Sequence, residues 1–304
     1  MSPFLFFVNC VKKQYAMKKI LIPVDFSEYS YNACLFAIQI AKKYGSEIHL
    51  FHSYIDRIIY TDSDFSTGLV SSTLINEQLL DIEKNAQNDL KKLYETLNSQ
   101  LKKENITNIK IKYSLNSGET DSTIINFCKE YTPDIIIMGS SGKSKKGMLM
   151  GSVSKKIMNN AKIPVLAIPE IYFPADISNI LYMTDFEETD ELIISKIFSL
   201  FKKLNIEIYC VHFNIFESKI LKNEEQMIKL KSIISEKHIT ENINFKLIDS
   251  SNINQDIETF IKTNNINLIA FHSHKRNYFK ELFTKKLTKK HLFHTNVPLL
   301  SLNV

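Results

Sequence analysis

The chain has 304 residues, 44% hydrophobic and 23% charged, with seven glycines, seven prolines, four cysteines and no tryptophan. That composition excludes collagenous, disulfide-scaffold and low-complexity classes, and the length suggests two domains of ordinary size. The net charge of +5 is dispersed along the chain; a nucleic-acid partner would call for a basic stripe with interleaved aromatics, so none is expected.

Residues 1–16 read as an extension ahead of Met17. Their apolar stretch Phe4–Val8 is too short for the core of a secretion signal and has no basic region before it. No apolar run reaches the roughly 18 residues of a membrane span. Cys10, Cys34, Cys128 and Cys210 form neither a CxxC pair nor a metal-spaced cluster with histidine. A reduced, cytoplasmic setting without a metal site is the expectation that follows.

From residue 18 onward, short continuous apolar runs alternate with longer amphipathic ones. Ile20–Val24, Ile48–Phe51, Ile135–Met138 and Val165–Ile168 have the character of parallel strands covered on both faces. The spacing predicts strands over 18–24, 47–53, 108–114, 134–138 and 164–168. A helix is predicted over 30–44, with apolar Ala33, Leu35, Phe36, Ile38 and Ile40, ended by Gly45 in the left-handed C-terminal position.

The pattern returns after residue 176. Ile180–Asp185 mirrors Ile20–Asp25, and Asp25 to His52 spans 27 residues, as does Asp185 to His212. In that frame Gly45 matches Asn205, the usual second choice for a left-handed cap. Further on, Ile124 pairs with Ile257, Met138 with Phe271 and Pro164 with Pro298. Strands of the second copy are expected over 178–184, 206–212, 243–248, 266–271 and 298–302. The chain therefore reads as one unit written twice, over residues 17–172 and 177–304. Each copy is an α/β domain, doubly wound, with five parallel strands, helices on both faces and right-handed crossovers.

All seven glycines precede residue 152, and four of them (Gly139, Gly142, Gly147 and Gly151) fall within thirteen residues. Such crowding suggests unusual backbone. In open parallel sheets ligands bind beyond the carboxyl ends of strands, where the winding reverses. Asp25 ends the first strand and Gly139 the fourth, the expected neighbours at that point. The segment 138–154 supplies backbone N–H groups, the hydroxyls of Ser140, Ser141 and Ser152, and a helix N-terminus near Ser152, which are the parts of a phosphate cradle. It is no Walker A loop, since only two residues separate Gly139 from Gly142, and no GxGxxG follows any strand. An empty, glycine-permissive turn remains the alternative.

The segment resembles the universal stress protein family, whose nucleotide-binding members carry Gly-x-x-Gly, nine residues, then Gly-Ser/Thr, with an aspartate after the first strand. Asp25 in Pro-Val-Asp-Phe-Ser, His52 closing strand two, Gly118 before the third helix and Pro164–Ile168 carry the likeness across residues 17–170; it is weaker over 177–304. One departure is that eight residues, not nine, separate Gly142 from Gly151. The resemblance implies the adenine nucleotide alpha hydrolase-like fold. It also implies an ATP site, with or without Mg, formed by Pro23, Val24, Asp25, Met138, Gly139, Gly142, Gly151, Ser152, Val153 and Ser154. Asp25 would sit by the adenosine, and the glycines and serines would wrap ribose and phosphates.

At matched positions the second copy has His272, Lys275, Lys285 and Lys286 in place of Gly139, Gly142, Gly151 and Ser152. Bulky side chains remove the close backbone approach, so the second copy is expected to be a degenerate partner. His272, His274, His291 and His294 have lysine-rich neighbours and no interspersed carboxylate, and read as surface or loop residues rather than metal ligands. No nucleophile elbow or general base is evident, so nothing beyond slow ATP hydrolysis is expected. The apolar last strands, 165–168 and 299–302, need cover as sheet edges. They are expected to meet within one chain, a homodimer of chains staying open. The expectation is a tandem stress-response protein that binds an adenine nucleotide; the alternative is a nucleotide-free interaction module of the same fold.

Overall fold

The computed structural model describes residues 17–55, 72–142, 150–170, 176–214, 220–236, 242–272 and 296–303. The first half runs β1 (Lys19–Pro23), α1 (Glu28–Tyr44), β2 (Glu47–Tyr54), α2 (Ser72–Lys103), β3 (Lys110–Ser117), α3 (Thr120–Tyr131), β4 (Ile135–Gly139), α4 (Ser152–Asn160) and β5 (Val165–Ile168). The second runs β6 (Asn179–Met183), α5 (Asp190–Leu200), β7 (Glu207–Asn214), α6 (Ile220–Glu236), β8 (Ile243–Asp249), α7 (Ile253–Thr263), β9 (Leu268–His272) and β10 (Leu299–Leu302).

The ten strands form one sheet, in the order β3-β2-β1-β4-β5-β10-β9-β6-β7-β8. Each set of five is parallel; β5 and β10 meet antiparallel, with Leu299 opposite Ala167, Leu300 opposite Leu166 and Ser301 opposite Val165. Leu166 and Leu300 are equivalent positions of the repeat, so their pairing marks a pseudo-twofold axis. In both halves the strand order reverses beside the first strand, between β1 and β4 and between β6 and β9.

Alternation along the strands builds two cores. Ile20 and Ile22 face α1 and α2, in a cluster that continues through Leu166, Ile168, Leu300 and Leu302 to Ile193 and Ile197 of α5 and Leu230 of α6. Leu21 points the other way, into a cluster with Ile124 of α3, Ile157 and Met158 of α4, and Ile257 and Phe260 of α7. The matched residues Ile124 and Ile257, and Met138 and Phe271, share that second core. At about 25 cal/mol per Å² of apolar area, continuity of both cores across the β5–β10 seam favours keeping the halves together.

Local signals account for the element ends. Ser27 caps α1, its side chain accepting from the Ser30 N–H, and Gly45 ends the helix at φ 68°. Asn205 departs from expectation. Helix α5 stops at Leu200 with Phe201 at φ −104°, and Asn205 is not among the residues with positive φ. The shorter α5 ends in a turn, so no left-handed cap is needed at that position. His52 does not close β2, which continues two residues further to Tyr54.

Candidate functional site

The elbow after β1 is set by its backbone. Phe26 adopts φ 59°, a left-handed conformation that a bulky side chain enters only when its surroundings hold it there. Its ring lies 4.5 Å from that of His52, whose Nδ1 is 2.6 Å from the Val24 carbonyl. This turn presents Asp25 at the carboxyl end of the sheet. Asp25 Oδ1 accepts from the Ser27 backbone N–H at 3.1 Å and from the Ser27 hydroxyl at 2.5 Å. Its Oδ2 faces Gly142: a Cβ added to Gly142 would lie 2.5 Å from it.

A cleft of about 290 Å³ opens there. It is lined by all ten residues singled out in the sequence: Pro23, Val24, Asp25, Met138, Gly139, Gly142, Gly151, Ser152, Val153 and Ser154. The intervening residues 143–149, Gly147 among them, lie outside the described residues, as do residues 1–16, Lys275, Lys285, Lys286, His274, His291 and His294. The cleft also includes Ser30, Phe51, Ser53, Thr120 and Ile124, which the glycine motif did not indicate. The carboxyl end of β2 past His52, and the start of α3 after Gly118, were the available signals, since strand ends and helix starts line such crevices.

The glycines act by clearance rather than by unusual backbone. Gly151 has φ −61°, and Gly139 is not among the glycines with positive φ. A Cβ on Gly139 would come within 2.7 Å of Tyr29 Cβ and 2.8 Å of the Tyr29 carbonyl carbon. Gly139 therefore lets α1 pack against the end of β4, while Gly142 makes room beside the Asp25 carboxylate. Ser154 is buried and donates to the Gly139 carbonyl at 2.8 Å, so its hydroxyl fastens α4 to β4. The N–H groups of Ser140 and Gly151 are likewise engaged, with the carbonyls of Ile168 and Ser140, each at 2.8 Å.

What remains available is specific. Helix α4 begins after Gly151 with no side-chain cap and no acidic residue in its first turn. Its leading N–H groups have no intrahelical partner and carry the positive end of the helix dipole. Two buried hydroxyl oxygens lining the cleft, Ser53 Oγ and Ser141 Oγ, have no hydrogen-bond partner among the described residues. Buried hydroxyls are ordinarily paired, and each one left unpaired costs about 1–3 kcal/mol. Phe51, Ile124, Met138 and Val153 supply an apolar wall. The combination suits a flat apolar ring system carrying a polar, anionic group.

The corresponding elbow of the second half shares the scaffold. Phe186 has φ 56°, its ring is 4.5 Å from that of His212, and His212 Nδ1 lies 2.9 Å from the Thr184 carbonyl. Where the first half has Ile22, Val24 and Ser30, the second has Tyr182, Thr184 and Asp190. Asp190 is buried and accepts from Tyr182 OH at 2.6 Å, from the Thr184 hydroxyl and from the Glu187 N–H at 3.0 Å. Burial pushes its carboxyl above the ordinary aspartate range, against the hydrogen bonds from Thr184, Tyr182 and Glu187.

Among the described residues no group of three or more His, Cys, Asp or Glu could hold a metal ion, and no helix is long and apolar enough to cross a membrane. Burial pushes the thiols of Cys34 and Cys128 up to about 12 and that of Cys210 well above its usual value, which keeps them unreactive.

Two sets of five parallel strands joined antiparallel at β5 and β10, with a crevice at the winding reversal of the first, define a doubly wound α/β protein. Comparison with known proteins narrows the class. The model of the universal stress protein family matches residues 17–169. Universal stress protein MJ0531 of Methanocaldococcus jannaschii is 30% identical over 155 residues, half of this chain and 81% of the relative. Universal stress protein YxiE of Bacillus subtilis is 29% identical over 152 residues, covering 49% of this chain and 97% of the relative. Among solved structures, a universal stress protein from Archaeoglobus fulgidus superposes with a TM-score of 0.62 at 17% identity, covering 95% of this chain and 97% of that one. The chain belongs to the universal stress protein family.

Proposed function

We propose that the first half, residues 17–172, binds ATP or a related adenine nucleotide in the cleft beside Asp25, and that residues 177–304 form a partner domain with no site of this type. The observation that carries this reading is the pair of buried hydroxyls without partners among the described residues, Ser53 Oγ and Ser141 Oγ, in the same cleft as the start of α4, which has no side-chain cap. A ligand with sugar hydroxyls and phosphates would satisfy both. Asp25 is placed to accept from a ribose or base donor, the N–H groups of Ser152 and Val153 to donate to phosphate, and the apolar wall to cover the adenine. A magnesium ion bound with the phosphates would neutralise their charge, and the hydroxyls of Ser141 and Ser152 would help to hold it.

The same reading makes the protein a cytoplasmic stress-response factor whose two domains stay docked in solution through β5 and β10. Turnover beyond slow hydrolysis is not expected, because the described residues lining the cleft show no hydrogen-bonded pair of nucleophile and general base. A nucleotide-free interaction module is the competing reading.

Calorimetric titration with Mg-ATP tests it. One site per chain is expected, and heat-denatured protein purified from cells should release adenine nucleotide. V153W, which fills the cleft from a partly exposed position, should abolish binding while leaving the circular dichroism spectrum unchanged. Absence of both titratable binding and released nucleotide would favour the competing reading.

A further inference from the structure

Helix α4 touches the cleft at one end and the second half of the chain at the other. Ser152, Val153 and Ser154 line the cleft. At the opposite end, the buried Ser301 hydroxyl of β10 donates to the Met158 carbonyl at 2.8 Å, and the Asn303 side-chain amide donates to the Ala161 carbonyl. The last carbonyls of a helix have no intrahelical partner, so these two bonds cap α4 from the other half of the repeat. Lys196 of α5 donates to the Asn303 carbonyl at 2.7 Å and ties the capping residue back into its own half.

The arrangement is one-sided. The repeat places Ala167 and Pro169 at the positions equivalent to Ser301 and Asn303, and neither side chain can donate a hydrogen bond. A hydroxyl in a strand otherwise made of leucine costs free energy unless it is paired, and here the pairing goes to α4. Simple strand-to-strand docking, carried by the β5–β10 ladder and its leucines, requires neither side chain.

We propose that Ser301 and Asn303 are positioning residues for the nucleotide cleft: through α4, the second half sets how strongly the first half holds phosphate. The proposal rests on the reading of the cleft as a nucleotide site. A nine-residue helix is a short rod of roughly 13 Å, so a tilt at its held end moves the N–H groups at the other. Hydrogen bonds weaken steeply as they leave alignment. Apart from Val153, the adenosine end of the cleft is built on β1, β2 and the Asp25 elbow, which α4 does not hold, so the coupling acts mainly on phosphate.

The test uses the full chain, with S301A, N303A and the conservative S301T. Mg-ATP and adenosine are titrated calorimetrically, and amide exchange of α4 is followed by mass spectrometry without nucleotide. In S301A and N303A the affinity for Mg-ATP should fall roughly three- to tenfold, the size of a modest coupling. Adenosine affinity should hold within about twofold, and exchange over Lys155–Asn160, whose N–H groups carry the intrahelical bonds of α4, should quicken. S301T should behave as the parent chain. Equal loss for ATP and adenosine would show only general loosening and overturn the proposal, as would unchanged ATP affinity. If the parent chain binds neither ligand, the nucleotide reading falls separately. Exchange then decides whether β10 positions α4, and an unchanged rate over Lys155–Asn160 overturns that as well.

Discussion

The two elbows of the repeat share a backbone and differ in what surrounds it. Phe26 and Phe186 have φ values of 59° and 56°, and each lays its ring 4.5 Å from a histidine whose Nδ1 meets the carbonyl two residues before the phenylalanine. Beside the first elbow, Val24 and Ser30 line an open cleft in which the hydroxyls of Ser53 and Ser141 have no partner among the described residues. Beside the second, Tyr182, Thr184 and Asp190 satisfy one another. The left-handed phenylalanine is therefore part of the scaffold.

The largest expected effect comes from breaking the self-satisfied elbow. Asp190→Ala leaves Tyr182 OH, the Thr184 hydroxyl and the Glu187 N–H without their acceptor. At about 1–3 kcal/mol for each buried group left unpaired, and without full additivity, the expected loss is about 3–5 kcal/mol in denaturant unfolding. The triple variant D190S/Y182I/T184V, which writes the first half's residues into the second, should recover much of that loss. A cost under about 1 kcal/mol for Asp190→Ala would show that the network does not hold the second elbow.

A smaller effect separates two roles of glycine within the first half. Gly139→Ala forces a Cβ against the Tyr29 main chain and should cost about 1–3 kcal/mol by overpacking. Gly142→Ala meets the Asp25 carboxylate, a side chain able to shift, and should leave stability nearly unchanged while weakening Mg-ATP binding. Thermal unfolding with and without nucleotide reads both. Equal melting losses would erase the distinction.

The smallest effect is electrostatic. Glu47 lies 2.8 Å from Lys112 and accepts from Tyr131 OH at 2.9 Å, whereas its repeat equivalent Glu207 accepts from the neutral amide of Asn244. Partial burial pushes the Glu47 carboxyl up, but hydrogen bonds from Lys112 and Tyr131, with the charges of Lys112 and Lys110, bring it below its ordinary value of 4.5. A lowered folded value means a contribution that is present above pH 4.5 and lost as the pH falls through the folded value. Solvent screening limits it to a few tenths of a kcal/mol. Glu47→Gln should therefore narrow the gap in stability between pH 7 and pH 3 by that amount, measured in urea; a wider gap would contradict the assignment.

Much of this was readable from the chain itself. Continuous apolar runs flanked by turn residues located the strands within one to three residues, because a strand buried on both faces leaves little polar pattern to misread. The family resemblance named the ten residues, and the structure brings all of them to one cleft at the carboxyl ends of β1 and β4. Ser53 and Thr120 escaped notice because they sit where β2 and α3 bring them, far from the motif in sequence. Gly139 was read for its backbone freedom, when its requirement is space beside Tyr29, a contact across 110 residues that no local pattern reveals. Asn205 misled because a cap is needed only where the helix ends, and α5 ends five residues earlier, at Leu200.

The facing pair Leu166 and Leu300 has a consequence for how such a chain can change over generations. In a dimer of identical subunits every substitution is made twice, once on each side of the axis, so no contact can be lopsided. Joining the copies into one polypeptide removes that constraint, and each residue then varies alone. A serine and an asparagine could arise on one flank of the seam while an alanine and a proline stayed on the other. The two copies were thereby free to diverge independently of one another.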